Sequence, residues 1–254
     1  MSPIDRILEG RAAAREARAA KSSIDTVDAV VLCAMGEELA PFLEDATDPV
    51  ELDAPGDARA LRATVRGLDL VLVRTRVGLV NAATATTWAL LGYAPRVVVS
   101  AGAAGGLHPD VEVGDVVVAT ELVYGQADAT AFGYARGQVP GQPPTFSVLP
   151  ALVEAGLAAG RSMGQPVREG LVLSGDAFVT AANVDSYRSA FPEALSTDME
   201  STAIAQVATD AGVPVISVRG ISDLCGPAAD QDFHLEVDHV AGLSARVVLG
   251  MLAD

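Results

Sequence analysis

The feature that most constrains the fold of this chain is a regular alternation of short apolar runs with helical segments. The apolar runs are rich in Val, Ala and Leu, and they lie at 27–32, 96–100, 116–120, 168–174 and 213–219. Segments with helical patterning lie at 79–91, 148–161, 184–190, 200–211 and 236–252. Strands that are apolar on both faces are typical of a sheet covered by helices on both sides. The alternation therefore predicts a single three-layer α/β/α domain with a mixed, mainly parallel central sheet.

The remaining segments are predicted to form a hairpin, loops and an N-terminal extension. The hairpin joins 60–66 to 69–75 through a turn at Gly67. Loops are predicted at 44–58, 101–106 and 123–146. A loop as long as the last of these usually carries function or an interface. An Ala- and Arg-rich helix at 4–21 forms an extension over residues 1–26, which leaves 27–254 as the main domain.

Composition restricts the partners that this chain can bind. The formal net charge is −16, which repels the phosphates of nucleic acid and of anionic lipid surfaces, so a small molecule is the expected ligand. No apolar signal segment follows the first residues, which predicts a cytoplasmic protein. The two cysteines, Cys33 and Cys225, are expected to be reduced. No Cys or His spacing indicates a metal site, and no cofactor is expected.

Common nucleotide-binding and hydrolase motifs do not occur in the sequence. The run Ala101–Gly106 lacks the spacing of a dinucleotide loop, and there is neither a Gly-Lys-Ser/Thr phosphate loop nor a Gly-x-Ser-x-Gly elbow. Three carboxylates remain at or just beyond predicted strand ends, where open α/β sheets bind ligands: Glu38, Glu200 and Asp223. Each alone could instead stabilise a helix N-terminus. Together they fit nucleoside cleavage, which needs an acid for the base, a base for water and an acceptor for the sugar hydroxyls.

A series of motifs, in order over about residues 27–252, carries a resemblance to one enzyme family. The motifs are Ala34–Glu38, Val77–Gly78, Ala104–Leu107, Val113–Asp115, Asp128–Tyr134, Ser174–Phe178, Met199–Glu200 and Arg219–Asp223. Their order and spacing resemble those of the 5′-methylthioadenosine/S-adenosylhomocysteine nucleosidases, whose fold is nucleoside phosphorylase-like. The resemblance implies a hydrolase that cuts the N-glycosidic bond of a 5′-modified adenosine and releases adenine and the 5′-thio-ribose.

The resemblance also implies a role for each site residue. Glu38 would activate water, and Asp223, held by Ser222, would donate a proton to purine N7. Glu200 would accept both ribose hydroxyls, and Arg219 would orient the water or the Glu38 carboxylate. Phe178 would stack on adenine and the Val179 backbone would read its edge, while the rest of the lining would come from Met35, Val77, Gly105 and Met199.

The same resemblance implies a homodimer in which two aromatic residues of one subunit complete the site of the other. Phe132 and Tyr134, both in the long loop at 123–146, would cover the 5′ substituent of the substrate bound to the neighbouring subunit. The partners expected for this chain are therefore a nucleoside and a second copy of itself.

Departures from the family pattern leave the 5′ substituent open. Ala103 stands where serine is frequent, Asp198 where glutamate is commoner, and Val237 where an aromatic residue is usual. Arg76 stands where glycine is usual. A guanidinium there could pair with a carboxylate on the 5′ group, or it could point to solvent or to a surface acid.

Three alternatives to methylthioadenosine and adenosylhomocysteine hydrolysis remain at this stage. A futalosine-type hydrolase would act on a 5′ group that bears a carboxylate. A purine nucleoside phosphorylase would need cations for phosphate, for which Arg74 and Arg76 are candidates. A nucleoside-binding protein without catalysis would have no need for both Glu38 and Asp223. Adenine release in buffer without phosphate separates these classes.

Overall fold

A mixed sheet forms the centre of the protein in a computed structural model that describes residues 24–253. Within this range the strands are β1 (Asp25–Cys33), β2 (Ala46–Leu52), β3 (Arg59–Val65), β4 (Leu68–Arg74), β5 (Tyr93–Gly106), β6 (Val116–Tyr124), β7 (Phe146–Ser147), β8 (Val167–Ser174), β9 (Ala194–Asp198) and β10 (Val215–Asp223). The helices are α1 (Gly36–Leu43), α2 (Leu79–Gly92), α3 (Pro150–Ser162), α4 (Val184–Ala190), α5 (Ser201–Asp210) and α6 (Ala229–Ala253). The predicted helix at 4–21 lies outside the described residues.

The sheet consists of an open part and a closed part that share strand β5. In the open part the order is β5, β1, β4, β3, β2, with β1 parallel to both β5 and β4 and the last three strands antiparallel. In the closed part β5 pairs with β10 and also with β9, and β6 and β8 complete a ring in the order β5, β10, β6, β8, β9. The mixed sheet of the predicted α/β fold is confirmed.

Helices cover both faces of the sheet, as the apolar runs predict. In one group α2 packs against α5, and in the other α6 packs against α1 and α3. Because both faces are covered, the central residues of β1 and β4, such as Val30, Val31 and Val71, are fully buried. Small side chains of α2 allow close packing, since Ala82, Thr86 and Ala89 are fully buried. No helix among residues 24–253 is long and apolar enough to span a membrane.

Two predicted loops are strands in the structure. The acidic segment 44–58 contains β2, an edge strand whose residues are mostly exposed and which is held by antiparallel pairing with β3 rather than by an apolar pattern. The predicted turn 101–106 is the continuation of β5, which pairs with β10 from Ala101 onward. Its alanines and glycines keep the strand narrow, and Gly102 has a φ of 148° that few other residues adopt.

The other elements agree with the sequence-based predictions apart from their ends. The hairpin β3–β4 and the helices α2, α3, α4 and α5 lie where they were predicted. Strand β9 was not predicted, because it has only five residues, nearly all buried, and so gives no alternating pattern. Helix α6 begins at Ala229 rather than at 236, since the acidic residues taken for a loop form its first turns.

Candidate active site

One cavity lies at the carboxyl ends of six strands, with an empty volume of about 740 Å³ that is open to solvent. Ten of the residues predicted from the sequence line it: Met35, Glu38, Val77, Gly105, Phe178, Val179, Met199, Glu200, Ser222 and Asp223. Strand ends of β1, β4, β5, β8, β9 and β10 contribute these residues, as expected for an open α/β sheet. Arg219 lies directly behind this lining.

Glu38 is a buried carboxylate held by three backbone N–H groups. Its Oε2 accepts hydrogen bonds from the N–H groups of Ala34 at 2.7 Å and Met35 at 3.0 Å. Its Oε1 accepts one from Ala103 N–H at 2.8 Å. A side chain at Gly102 would collide with the carboxylate, since an added Cβ would lie 2.1 Å from Oε1. Glycine at this position of β5 therefore allows Glu38 to reach the cavity from the first turn of α1.

Burial raises the pKa of Glu38, and the nearby guanidinium of Arg219 and the three N–H donors oppose that rise. The side chain of Glu38 is 2% exposed. A carboxylate with a raised pKa is a stronger base than one in water, and it stays ionised near neutral pH only because donors compensate its charge. The arrangement is suited to taking a proton from a water molecule.

Arg219 compensates three carboxylates at once, although it does not itself line the cavity. Its Nε lies 3.1 Å from Asp198 Oδ2, its Nη2 lies 3.5 Å from Glu200 Oε2, and its Nη1 lies 3.7 Å from Glu38 Oε1. Burial works against its charge, but the three carboxylates outweigh burial, and the pKa of Arg219 is raised. Arg219 lies beneath the predicted water and ribose subsites, in agreement with the predicted role beside Glu38.

Glu200 lies at the start of α5 and faces the cavity from the β9 side. Its Oε1 accepts a hydrogen bond from Gly78 N–H at 3.0 Å, which joins it to the strand end of β4. Burial, opposed by Arg219 and reinforced by the charges of Asp198 and Glu38, raises the pKa of Glu200 to about 8. Ribose hydroxyls that donate to this carboxylate would favour its charged form.

Asp223 is the last residue of β10, whereas the sequence pattern ended this strand at residue 219. Its Oδ2 accepts a hydrogen bond from the Ser222 hydroxyl at 2.9 Å, and its Oδ1 accepts one from Cys225 N–H at 2.9 Å. Burial raises the pKa of Asp223, the two donors lower it, and the charge of Asp232 raises it further. Within the described part of the chain Asp223 has no ion-pair partner. These surroundings favour the protonated carboxyl that a general acid requires.

Phe178 and one unpredicted aromatic residue form an aromatic wall of the cavity. Phe178 is 43% exposed, and its ring centroid lies 5.9 Å from that of Phe233 with the planes at 76°. Phe233 lines the cavity, whereas Val237, one turn later on α6, is buried away from it. The family pattern has an aromatic residue at the position of Val237, and in this chain Phe233 provides an aromatic side chain to the cavity. The sequence-based prediction began this helix at residue 236 and so did not place residue 233 on it. In the structure α6 begins at Ala229, and residues 233 and 237, four apart, are neighbours on the helix surface.

Arg76 does not line the cavity, so of its two alternatives the contact with a 5′ substituent is not made. Its Nη1 forms an exposed ion pair with Asp57 Oδ2 at 2.9 Å, as the surface alternative stated. Arg76 has a φ of 74°, a conformation that favours glycine. The neighbouring Val77 lines the cavity instead. The turn 75–78 thus directs an apolar side chain inward and the cation outward.

Phe132 and Tyr134 lie outside the cavity of their own chain. Phe132 belongs to a short 3-10 turn at Thr130–Phe132 and is 83% exposed. Tyr134 is partly buried in the same loop. Ala103 contributes its backbone to Glu38 and its methyl group to the cavity lining, so no hydroxyl replaces the serine that is frequent at this position.

The comparisons with known proteins agree with this geometry. The family model of the phosphorylase superfamily matches residues 28–253. The chain is 37% identical to the 5′-methylthioadenosine/S-adenosylhomocysteine nucleosidase of Geobacillus kaustophilus over 227 residues, which are 89% of this chain and 96% of the relative. It is also 37% identical to the nucleosidase of the same name from Actinobacillus succinogenes, over 88% of this chain and 97% of the relative.

Solved structures of such nucleosidases have the same fold. The enzyme of Neisseria meningitidis in complex with methylthio-immucillin-A gives a TM-score of 0.85 at 36% identity, over 89% of this chain and 98% of that one. The enzyme of Colwellia psychrerythraea in complex with adenine gives 0.85 at 31% identity, over 91% and 96%. The chain belongs to the phosphorylase superfamily and, within it, to the 5′-methylthioadenosine/S-adenosylhomocysteine nucleosidases.

Proposed function

We propose that this chain hydrolyses the N-glycosidic bond of 5′-methylthioadenosine and S-adenosylhomocysteine and releases adenine and the corresponding 5′-thio-ribose. The observation that carries the proposal is one cavity lined by both Glu38, a buried carboxylate compensated by donors, and Asp223, a carboxyl group without a cation. Binding alone requires no such pair, which argues against a nucleoside-binding protein without catalysis.

The proposed reaction adds one water molecule across the C1′–N9 bond. Glu38 takes a proton from water, and the hydroxide oxygen forms a bond to ribose C1′ as the C1′–N9 bond breaks. The electron pair of that bond goes to the purine, and Asp223 donates a proton to N7 so that neutral adenine leaves. Glu200 accepts the ribose hydroxyls and fixes the ring. After adenine leaves, Glu38 releases the proton that it took from water and Asp223 regains one from solvent, so that the cycle consumes one water molecule.

The lining of the cavity favours a hydrolase over a phosphorylase. Phosphorolysis needs a cation for phosphate, but Arg76 pairs with Asp57 outside the cavity, and Arg74 donates to the Asp57 carbonyl at 3.2 Å. Arg219 is occupied by three carboxylates and is 1% exposed. Where phosphate would bind, Glu38 would repel it.

The 5′ end of the substrate meets apolar side chains rather than cations. Met35, Val77 and Phe233 line the cavity, and none of its lining residues is Lys or Arg. A carboxylate placed there would lose hydration without gaining an ion pair. This composition supports the methylthio substituent over either 5′ group that carries a carboxylate, the homocysteine of adenosylhomocysteine or a futalosine-type group.

We also propose that two copies of the chain form a homodimer in which Phe132 and Tyr134 cover the 5′ substituent bound to the neighbour. An aromatic side chain that is 83% exposed supports an interface at this loop. Residues 27–254 form the catalytic domain and 1–26 an extension, in keeping with the family match to 28–253. A cytoplasmic location is consistent with Cys33 and Cys225 being free thiols.

The test is adenine release from methylthioadenosine, adenosylhomocysteine and a futalosine-like nucleoside in buffer with and without phosphate. Hydrolysis predicts full release of adenine without phosphate, and the apolar lining predicts a higher kcat/KM for methylthioadenosine than for the two nucleosides whose 5′ group carries a carboxylate. Release that depends on phosphate would instead establish a phosphorylase. Sedimentation of the parent and of Phe132→Ser tests the dimer, which this substitution should weaken.

A further inference from the structure

Arg219 is bound unequally to the three carboxylates around it. The contact with Asp198 is short enough for a hydrogen bond, at 3.1 Å, whereas the distances to Glu200 and Glu38 are 3.5 and 3.7 Å. The two carboxylates that face water and ribose in the proposed reaction are therefore the ones that the guanidinium pairs with less closely. Something must hold Arg219 on the Asp198 side of the cluster.

The hydroxyl of Ser201 lies between Arg219 and Asp198. Arg219 Nε and Nη2 donate to Ser201 Oγ at 3.2 and 3.1 Å, and Ser201 Oγ in turn donates to Asp198 Oδ2. The direction of these bonds is fixed, because a guanidinium only donates and an ionised carboxylate only accepts. Ser201 is fully buried in the first turn of α5, so no water competes for its hydroxyl.

Asp198 is itself held firmly, which makes it a fixed point for the guanidinium. Its Oδ1 accepts hydrogen bonds from the Ser174 hydroxyl at 2.6 Å and from the N–H groups of Glu200 and Ser201 at 3.0 Å each. Its contacts come from β8 and from the start of α5. A further acceptor, Ser100 Oγ on β5, binds Arg219 Nη2 at 2.7 Å on the same side.

We propose that Ser201 is a positioning residue of the nucleosidase reaction, which ties Arg219 to Asp198 and so keeps the guanidinium from pairing closely with Glu38 and Glu200. The proposal rests on the function proposed above. A guanidinium in close contact with Glu38 would stabilise its charged form and make it a poorer base. Held at 3.7 Å, Arg219 compensates the charge of Glu38 while the carboxylate keeps its affinity for a proton.

Burial, Arg219 and three backbone N–H groups are the influences on the pKa of Glu38, and the other titratable groups nearby belong to the same cluster. Arg219 lies on β10, and the Cys33 thiol lies at the end of β1. Asp198 is the last residue of β9, and Glu200 follows it before α5. Of these only Arg219 is positively charged. A shift of its guanidinium toward Glu38 therefore changes the charge balance of the site in one direction: the pKa values of Glu38 and Glu200 fall.

The test compares Ser201→Ala with Ser217→Ala in the full chain. Ser217 is equally buried, and its hydroxyl contacts Ser201 Oγ at 2.9 Å but neither Arg219 nor Asp198 among the described contacts. Ser201→Ala should lower kcat by about 3- to 10-fold with KM changed by less than about 3-fold. The acid limb of its kcat/KM profile should move to lower pH by about half a unit or more. Ser217→Ala should retain the parent profile.

A double-mutant cycle tests whether Ser201 acts through Asp198. Once Asp198→Asn has weakened the hold on Arg219, adding Ser201→Ala should change kcat by less than about 2-fold. Ser201→Cys, which keeps a side chain of similar shape with a weaker hydrogen bond, should shift the profile in the same direction if Ser201→Ala has a low Tm. Equal effects of Ser201→Ala and Ser217→Ala, or a shift of the acid limb to higher pH, would overturn the proposal. Failure of the parent chain to release adenine would instead refute the proposed function.

Discussion

The two ends of the cavity hold their carboxyl groups in opposite ways. Glu38 accepts hydrogen bonds from three backbone N–H groups and lies 3.7 Å from a guanidinium, inside a cluster of charges that is closed to solvent. Asp223 accepts two hydrogen bonds, from Ser222 and Cys225, and burial is the main influence on its pKa. The surroundings of Glu38 compensate a negative charge, whereas those of Asp223 favour its uncharged form.

The difference bears on the proposed mechanism, which gives two carboxyl groups of one site opposite roles, Glu38 as base and Asp223 as acid. Burial raises the pKa of both Glu38 and Asp223, so burial alone cannot separate their roles. Arg219 lowers the pKa of Glu38 against the effect of burial, whereas no cation among the described residues does so for Asp223. Four substitutions test this comparison, beginning with the largest expected effect.

Glu38→Gln should abolish hydrolysis, with kcat lowered by about 10³-fold or more, because an amide keeps the volume of the side chain but cannot take a proton from water. Binding of the substrate should be retained, so the variant should trap methylthioadenosine. Single-turnover adenine release and equilibrium binding measure the two effects separately. If adenine is released at the parent rate, Glu38 only stabilises the first turn of α1.

Asp223→Asn should lower kcat by at least ~100-fold, because the amide cannot deliver a proton to N7. The fold should be preserved, since the amide oxygen can still accept from Cys225 N–H while the amide NH2 group donates to the Ser222 hydroxyl. Turnover on methylthioadenosine, with the circular dichroism spectrum as a control, tests the assignment. Near-normal turnover by a folded variant would contradict it.

The stability of the free protein should fall as pH rises toward 8. The pKa of Glu200 is about 8 in the folded protein, above the ordinary value of 4.5, so the folded state binds more protons than the unfolded state between these values. The free energy of unfolding should then decrease by up to about 1 kcal/mol per pH unit in this window. Tm measured from about pH 5 to 8 should decline, and Glu200→Gln should decline less. An equal decline in both proteins would show that other groups set the slope.

Arg76→Gly should have the smallest effect. Glycine removes the cost of a positive φ, about 1 kcal/mol or more, and the lost exposed ion pair with Asp57 contributes at most about 1 kcal/mol. Stability should therefore be unchanged or slightly higher in chemical denaturation. The ratio of kcat/KM for adenosylhomocysteine and methylthioadenosine should stay within about 2-fold of the parent ratio. A large change in this ratio would place Arg76 at the substrate after all.

Motifs at the ends of buried strands were sufficient to predict the fold class and most of the site. Glu38, Glu200 and Asp223 lie where strand-end reasoning and family resemblance place them, because burial gives the flanking strands a clear apolar pattern. The exposed strand β2 has no such pattern and was missed. The sequence also did not reveal which way the Arg76 side chain points. Arg76 has a φ of 74°, a conformation that residues other than glycine rarely adopt, so its residue type gave no indication of this turn.

The sequence also did not reveal that one guanidinium, that of Arg219, lies close to three carboxylates. Ser201 and Asp198 stand beside the predicted Glu200, yet their role depends on contacts with Arg219, which is distant along the chain. Phe233 was missed because acidic residues around it concealed the start of α6. Both omissions concern side chains whose importance arises from three-dimensional neighbours rather than from local patterning.

The ring closed by β10 has a consequence for synthesis of the protein. Chains emerge from the ribosome with the N-terminal part first, so Glu38 on α1 and Glu200 on α5 are made before β10. Arg219, Ser222 and Asp223 all lie on β10, and this strand also links β5 to β6 by pairing with both. Until it arrives, the carboxylates have no guanidinium and the proposed acid is missing. The strand that closes the ring is therefore also the strand that supplies the last residues of the candidate site.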